Sequence, residues 1–469
     1  MTDAAGRSPR SWLGAVVFLY GTVLAAFVAF VLYRRQGLVE GTIDLNGFGV
    51  LSRSIAQGDG FSLGHGPTIR RAPLYPYFGA ALMRAFGSGT QGLPDSVLFR
   101  PLLLANCVIF GLTTLVVWRL ARELFGPRAA LLAAAMCPFV PQSLRYVGMT
   151  EVETLMGLFT ALMALTGFWL VVRPSIGRGI AFGATIAAAT LSKPIVLLFP
   201  FLFLPLAIGY WWRERVLNRN AVIAAASALV CFGLLLVPWT VRNIIVTNGQ
   251  FKSISSNGPG EFLRGYVNAQ PKYFLLRQDF GGGGPGEKWD PEANDYEEKL
   301  LKPYGMPFYR SGKDSAGNAV TFPPQPPGVP GAQLELEKDR IESAEMKRRI
   351  LQEPGGFLYK FTVQLASFWY IVETRKKSLM VGAVALVVLS LAGFGAWRAH
   401  LKQATVWPVL AVIAYFNAIY AAFLAFARYS MPLFPTLTVL AAGGLLSILE
   451  PLLRRWLPGK VPPTDSPLA

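Results

Sequence analysis

From Trp12 to Tyr33 the chain reads WLGAVVFLYGTVLAAFVAFVLY, a charge-free run long enough to cross about 30 Å of hydrocarbon. Inside a bilayer such a run must satisfy its backbone hydrogen bonds internally, so it is a helix. It lacks the small-residue cleavage pattern of a signal peptide and reads as a retained span. Comparable runs recur, and ten spans are expected at about 12–33, 100–118, 129–147, 152–172, 179–192, 194–211, 221–241, 378–397, 404–427 and 430–449. Residues 179–212 are too long for one helix and short for two, and Lys193-Pro194 marks a hairpin tip between them. The expected fold class is an all-α polytopic membrane protein with about ten transmembrane helices, whose extracytoplasmic loops carry interfacial helices.

The 53% apolar and 15% charged composition excludes an ordinary soluble domain. A net charge of +17 raises the question of nucleic acid. The basic residues, however, sit in short clusters between apolar runs, where they set orientation and meet anionic lipid, so membrane lipids and no nucleic acid are expected as partners. Cys107, Cys137 and Cys231 all fall within apolar runs and read as small buried hydrophobes. The two histidines, His65 and His400, have no ligand spacing around them, so no metal site is expected from histidine.

Lys and Arg gather in cytoplasmic loops. Arg7/Arg10, Arg119/Arg122/Arg128, Arg173/Arg178, Arg213/Arg215/Arg219, Arg398/Lys402 and Arg454/Arg455/Lys460 share one face if ten spans are crossed, with Arg34/Arg35 as the exception. Both termini are then cytoplasmic. Three regions follow: an N-terminal transmembrane module over 1–241 with a first extracytoplasmic loop at 34–99, an extracytoplasmic loop region over 242–377, and C-terminal transmembrane helices over 378–469. Within the loop region, GGGGPG at 281–286 and PPQPPGVPG at 323–331 read as flexible or polyproline-like chain, followed by a charged helical pattern from Leu334 to Gln352. RAPLYPYFGAALMRAFG, Arg71 to Gly87, is apolar but short and suits an interfacial or re-entrant helix better than a span.

On this topology Asp44, Arg53, Arg70, Arg71, Arg145, Glu151, Glu153, Lys193, Arg242, Asn243 and Arg428 punctuate the outer helix ends. Guanidinium and ammonium groups hold phosphate oxygens while a carboxylate accepts a proton, which is the equipment for an anionic lipid-linked substrate. Any one of these cations could equally be an interfacial side chain reaching for the headgroups, Lys193 at its hairpin tip and Arg428 ahead of the last span among them. For Glu151, a helix-start carboxylate stabilised by the helix dipole and a second functional acid are both open. Glu153 reads as structural, and Asp59, flanked by glycines, as a turn residue.

The order of these residues resembles the GT-C superfamily of glycosyltransferases, in particular bacterial relatives of the protein O-mannosyltransferases and of the lipid A aminoarabinose transferase. The likeness is carried by Asp44 with Phe48, Ser52 and Gly58-Asp59-Gly60, then Arg71-Ala72-Pro73-Leu74-Tyr75-Pro76. It continues through Glu151, Pro238-Trp239-Thr240-Val241-Arg242-Asn243, Ser255-Ser256-Asn257-Gly258, the stretch Arg349 to Leu358, and Arg428-Tyr429-Ser430-Met431-Pro432.

The resemblance implies inverting transfer from a polyprenyl-phosphate-linked sugar donor to a glycolipid, glycan or secreted protein, in a bacterial inner membrane with the site on the extracytoplasmic face. It implies Asp44 as general base with Glu151 as a second acid. Arg71 leads the phosphate contacts, followed by Arg70, Lys193, Arg242 and Arg428, and Tyr75, Asn243 and Tyr429 line the substrate pocket. Asp44 is followed by Leu45-Asn46 where many relatives carry a second acid, so the resemblance implies metal-independent or at most weakly metal-assisted transfer, with a divalent metal in that loop open but disfavoured and no other cofactor assigned. A ligase or polymerase using a diphosphate-linked donor is the competing enzyme, disfavoured because the large loop holds no histidine. A lipid-linked sugar transporter is disfavoured because no midplane polar residues or inverted repeats are visible.

Overall fold

The computed structural model describes residues 11–36, 46–64, 66–87, 99–140, 144, 146–251, 253–269, 291–304, 306, 312–313, 319–320, 331–372, 374–401 and 405–456. Asp44, His65, Arg145 and the segments 281–286 and 323–330 lie outside the described residues.

The membrane part is built from α1 (Ser11–Gln36), α4 (Arg100–Phe125), α5 (Pro127–Met136), α6 (Glu153–Val172), α7 (Ile176–Ser192), α8 (Phe199–Arg213), α9 (Arg219–Val246), α14 (Arg375–Leu401), α15 (Trp407–Ala422) and α16 (Phe434–Trp456). Among the described residues seven segments are long and apolar enough to span a membrane and three shorter apolar helices accompany them, so each of the ten expected spans has its helix. The chain is a multi-pass membrane protein. Two boundaries differ from expectation. The third helix gives way to a 3₁₀ turn at Cys137–Phe139 and does not reach 147, because Pro138 cannot donate the next helical hydrogen bond. The seventh continues to Val246, past 241. The expected hairpin tip is present: Lys193 is extended at φ −149° between α7 and the 3₁₀ turn Pro194–Val196.

Helix α6 is buried along most of its length and packs against α4 and α7. Close approach elsewhere depends on missing side chains. A Cβ on Gly179 or Gly183 of α7 would strike the carbonyl oxygens of Ala224 or Ala228 on α9, and Gly395 of α14 and Gly444 of α16 seat against one another's helix backbones in the same way. Small residues at four-residue spacing let membrane helices meet where no hydrophobic force drives them together. Val23, Phe27, Leu234 and Leu386 stay exposed on the outer helices, the surface that a bilayer would cover.

Reversals between successive helices gather the starts of α6, α8 and α16 and the ends of α7, α9 and α15 at one end of the bundle. Arg119, Arg122, Arg173, Arg178, Arg213, Arg219 and Arg398 belong to the opposite helix ends. Over the first end lie α2 (Phe48–Gln57), α3 (Leu74–Ala85), α10 (Gly258–Asn268), α11 (Pro291–Leu301), α12 (Gly331–Gln352) and α13 (Pro354–Ser367), together with a two-residue antiparallel ladder, Gly312–Lys313 with Ala319–Val320. Asp59 occupies a turn between Gly58 and Gly60, both at positive φ.

Helices α10, α11 and α12 are tied by a buried charge cluster. Glu297 receives Arg264 at 3.0 Å and also pairs with Lys338, while Glu342 stands 3.7 Å from Lys338. Burial works against the Glu297 charge, but Arg264 and Lys338 outweigh it and hold its pKa at about 2. For Glu342 burial wins over Lys338, and its pKa rises to about 7. An acid raised in the folded state contributes stability that is complete below about pH 4.5 and lost as the pH rises through about 7. Glu342→Gln is therefore expected to raise the melting temperature relative to wild type at pH 8, by up to about 3 kcal/mol of stability, and to leave it unchanged at pH 4.5. Melting curves in detergent at the two pH values check this.

Candidate functional site

A cleft of roughly 1340 Å³, mouth included, opens between the loop layer and the gathered helix ends. Arg70, Arg71, Lys193, Arg428 and Tyr429 all line it, with Asn46, Phe48, Glu153, Glu261 and Tyr420 among their neighbours. Five of the residues expected at the site thus share one surface although they are spread over more than 350 positions of sequence.

Its floor is a chain of alternating charges. Glu151 and Glu153, just before and at the start of α6, are both almost wholly buried. Arg428, on the helical turn Ala427–Ser430, donates from Nε to Glu153 Oε1 at 2.7 Å and from Nη2 to Glu151 Oε2 at 2.8 Å. Asn46 Nδ2 donates to the two Glu151 oxygens at 3.1 and 2.9 Å. In return Asn46 accepts from Arg71, Nε to its backbone oxygen at 3.0 Å and Nη2 to Oδ1 at 3.3 Å. At the other end Lys193 Nζ stands 3.5 Å from Glu153 Oε1. A connected line therefore runs from Arg71 through Asn46, Glu151, Arg428 and Glu153 to Lys193. Glu151 is buried rather than a solvent-facing helix start, and both Arg428 and Asn46 donate to it.

Glu151 and Glu153 offset the charges of Arg428 and Lys193, and Arg70 and Arg71 share the cleft with the Glu261 carboxylate. Arg71 packs over the Phe48 ring at 5.6 Å. Burial, and then the neighbouring Arg70, lower its pKa to about 10, against the pull of Glu261 and Glu151. The guanidinium stays charged at neutral pH. Among the described residues Arg71 Nη1 has no hydrogen-bond acceptor. Among the described residues the Lys193 ammonium has one polar contact, the 3.5 Å ion pair with Glu153 Oε1, and lies 4.8 Å from the Tyr429 ring centre and 5.5 Å from that of Tyr420. Those two rings are stacked, 4.6 Å apart and 10° from parallel. The arrangement offers cationic donors beside a flat aromatic wall, which suits an anionic group bonded to a ring or an apolar chain.

Three expected residues lie away from the cleft. Arg242 donates to Thr68 O at 2.7 Å and Asn243 Oδ1 at 2.9 Å, and its guanidinium covers the Trp239 ring at 4.7 Å. Asn243 is fully buried and donates to Ser253 O at 2.8 Å and Ile254 O at 3.2 Å. Tyr75, also fully buried, meets Phe48 edge-on. The Pro-Trp-x-x-Arg-Asn segment thus fastens the two loops that bear cleft residues, 61–71 and 253–258, onto α9. It acts from behind the wall.

Sequence reasoning missed four residues. Asn46 is the bridge between Arg71 and Glu151, and its only signal was a polar residue two positions after Asp44. Tyr420 forms half of the aromatic stack, and Glu261 lies in the first turn of α10. Glu335 reaches from α12 to accept from Thr68 Oγ1 at 2.6 Å and from Ile69 N at 2.7 Å, bracing the chain just before Arg70-Arg71. The charged pattern of α12 disguised Glu335 as a solvated face. Among the described residues no three His, Cys, Asp or Glu side chains gather as a metal site would require.

Residues 70–238 match the protein family described as dolichyl-phosphate-mannose-protein mannosyltransferase. The chain is similar in fold to the archaeal oligosaccharyltransferase AglB from Archaeoglobus fulgidus in complex with an inhibitory peptide and a dolichol-phosphate, with a TM-score of 0.54 at 14% identity over 95% of this chain and 51% of that one. For the apo form of the same organism's enzyme the values are 0.55, 15%, 95% and 52%. The chain thus spans about half the length of those structures. ArnT from Cupriavidus metallidurans, solved bound to undecaprenyl phosphate, aligns over 97% of this chain and 82% of its own at 15% identity and a TM-score of 0.36. No curated protein sequence matches the chain. The fold is that of a polytopic GT-C protein. The family match covers residues 70–238, and the likeness to the solved structures is one of fold.

Proposed function

We propose that this chain is a membrane glycosyltransferase that moves a sugar, with inversion, from a polyprenyl-phosphate donor to an acceptor hydroxyl. The observation that carries the reading is the convergence of Arg70, Arg71, Lys193 and Arg428 beside the Tyr420–Tyr429 stack in one cleft at the helix ends. A lipid-linked donor has its phosphate at headgroup level and its tail in hydrocarbon, which is the depth at which membrane helices end. The family that residues 70–238 match is named for such a donor.

Asp44 serves as general base. It takes the proton from the acceptor hydroxyl, the acceptor oxygen bonds to the anomeric carbon, and the bond from that carbon to the phosphate oxygen breaks on the opposite face, its electron pair leaving with the polyprenyl phosphate. The leaving phosphate gains charge, so Arg71 and Lys193, with donors unspent, hold it more strongly in the transition state than in the ground state. Asn46, two positions after Asp44 in sequence, belongs to the charge chain, which supports the reading of Asp44 as base. The arginines at the far helix ends favour a cytoplasmic position for that side, with both termini there. The cleft then faces the extracytoplasmic side of a bacterial inner membrane, with a glycolipid, glycan or secreted protein supplying the hydroxyl.

Undecaprenyl phosphate binding tests the anchor. Arg71→Met and Lys193→Met are each expected to weaken it by about tenfold, the loss of one charge-assisted hydrogen bond. Titration of the purified variants in nanodiscs checks this, and unchanged affinity in both would remove the anchor.

A further inference from the structure

We propose that Glu261 holds the sugar of the lipid-linked donor, its carboxylate accepting hydrogen bonds from hydroxyl groups of the ring. The inference rests on the donor reading given above. Two described carboxylates line the cleft, Glu153 and Glu261. Glu153 is buried and its charge is matched by Arg428 and Lys193, both at Oε1. Glu261 is half-buried and accepts a single hydrogen bond, from Asn257 Nδ2 to Oε1 at 2.8 Å. Among the described residues no Lys or Arg stands within ion-pair distance of it.

It sits in the first turn of α10, where the Asn257 amide donates to it and leaves its second oxygen for another donor. An ionised carboxylate with an unspent oxygen repels phosphate and accepts from hydroxyl groups. The donor's phosphate is bonded directly to the anomeric carbon, so cations that take the phosphate bring the sugar to the same cleft. Glu261 lies near enough to Arg71 for its charge to steady that guanidinium. The cations and the carboxylate therefore divide the donor between them, the first taking phosphate and the second taking the sugar.

The test compares the full chain and its Glu261→Gln and Glu261→Asp variants in nanodiscs. The probes are undecaprenyl phosphate alone and undecaprenyl phosphate carrying mannose, glucose or arabinose. Wild type is expected to bind at least one sugar-bearing lipid more tightly than undecaprenyl phosphate. Glu261→Gln should weaken that lipid by about 10- to 100-fold without weakening undecaprenyl phosphate, which loses a repelling charge, and Glu261→Asp should retain part of the preference. Equal weakening of both lipids by Glu261→Gln would overturn the inference, as would a sugar preference that survives the substitution. Wild type that binds undecaprenyl phosphate with no preference for any sugar-bearing lipid overturns it while leaving the donor reading standing. Failure of wild type to bind any of the lipids removes the donor reading first.

Discussion

Arg428→Met is expected to destabilise the protein by about 3–5 kcal/mol and to abolish transfer, because it strands two buried carboxylates without their shared cation. Glu151 and Glu153 converge on this one guanidinium at 2.8 and 2.7 Å. Asn46 can offer Glu151 only a neutral amide, and Lys193 reaches Glu153 only at 3.5 Å. Arg428→Lys recovers part of the loss, since a point ammonium cannot span both acids as the planar fork does. The triple variant Arg428→Met, Glu151→Gln, Glu153→Gln removes the stranded charges together and should regain most of the melting temperature without regaining transfer. That contrast separates the structural cost from the functional one. A single variant that melts like wild type would show that the charge chain is not what holds these helix ends together.

Asp44→Asn is the second large effect. It preserves size and hydrogen bonding while removing basicity, and positioned general bases contribute about 10²- to 10⁴-fold in rate. Transfer should fall within that range with donor affinity unchanged, since the cations that hold the phosphate are untouched. Rates measured at saturating donor, beside undecaprenyl phosphate titrations, distinguish this from a binding defect. Equal turnover in a well-folded Asp44→Asn variant would move the base elsewhere in the cleft.

The spans were legible because hydrocarbon thickness writes itself into the length and purity of apolar runs. Even the awkward 179–212 stretch resolves as read, with Lys193-Pro194 between two helices. The cations at the cleft were legible for a related reason: a charge at a membrane helix end is visible against its apolar surroundings. What each one touches was not. Arg71 and Arg242 look alike in sequence, yet one lines the cleft and the other is stacked on Trp239 behind it, a difference set by loop packing over distances no local pattern encodes. Glu151 looked like a helix cap or a spare acid because Arg428 and Asn46 are 277 and 105 residues away in sequence. Glu335 and Glu261 come from the loop region, where polar residues are common and one carboxylate is indistinguishable from another until the chain is folded.

Incubation of the purified protein with undecaprenyl-phosphate sugars and a crude envelope extract as acceptor, followed by mass spectrometry of the lipid fraction, tests the central claim most directly. The account predicts that wild type releases free undecaprenyl phosphate from at least one monophosphate-linked sugar and that Asp44→Asn does not. Consumption of a diphosphate-linked glycan, with every monophosphate donor left intact, would contradict it.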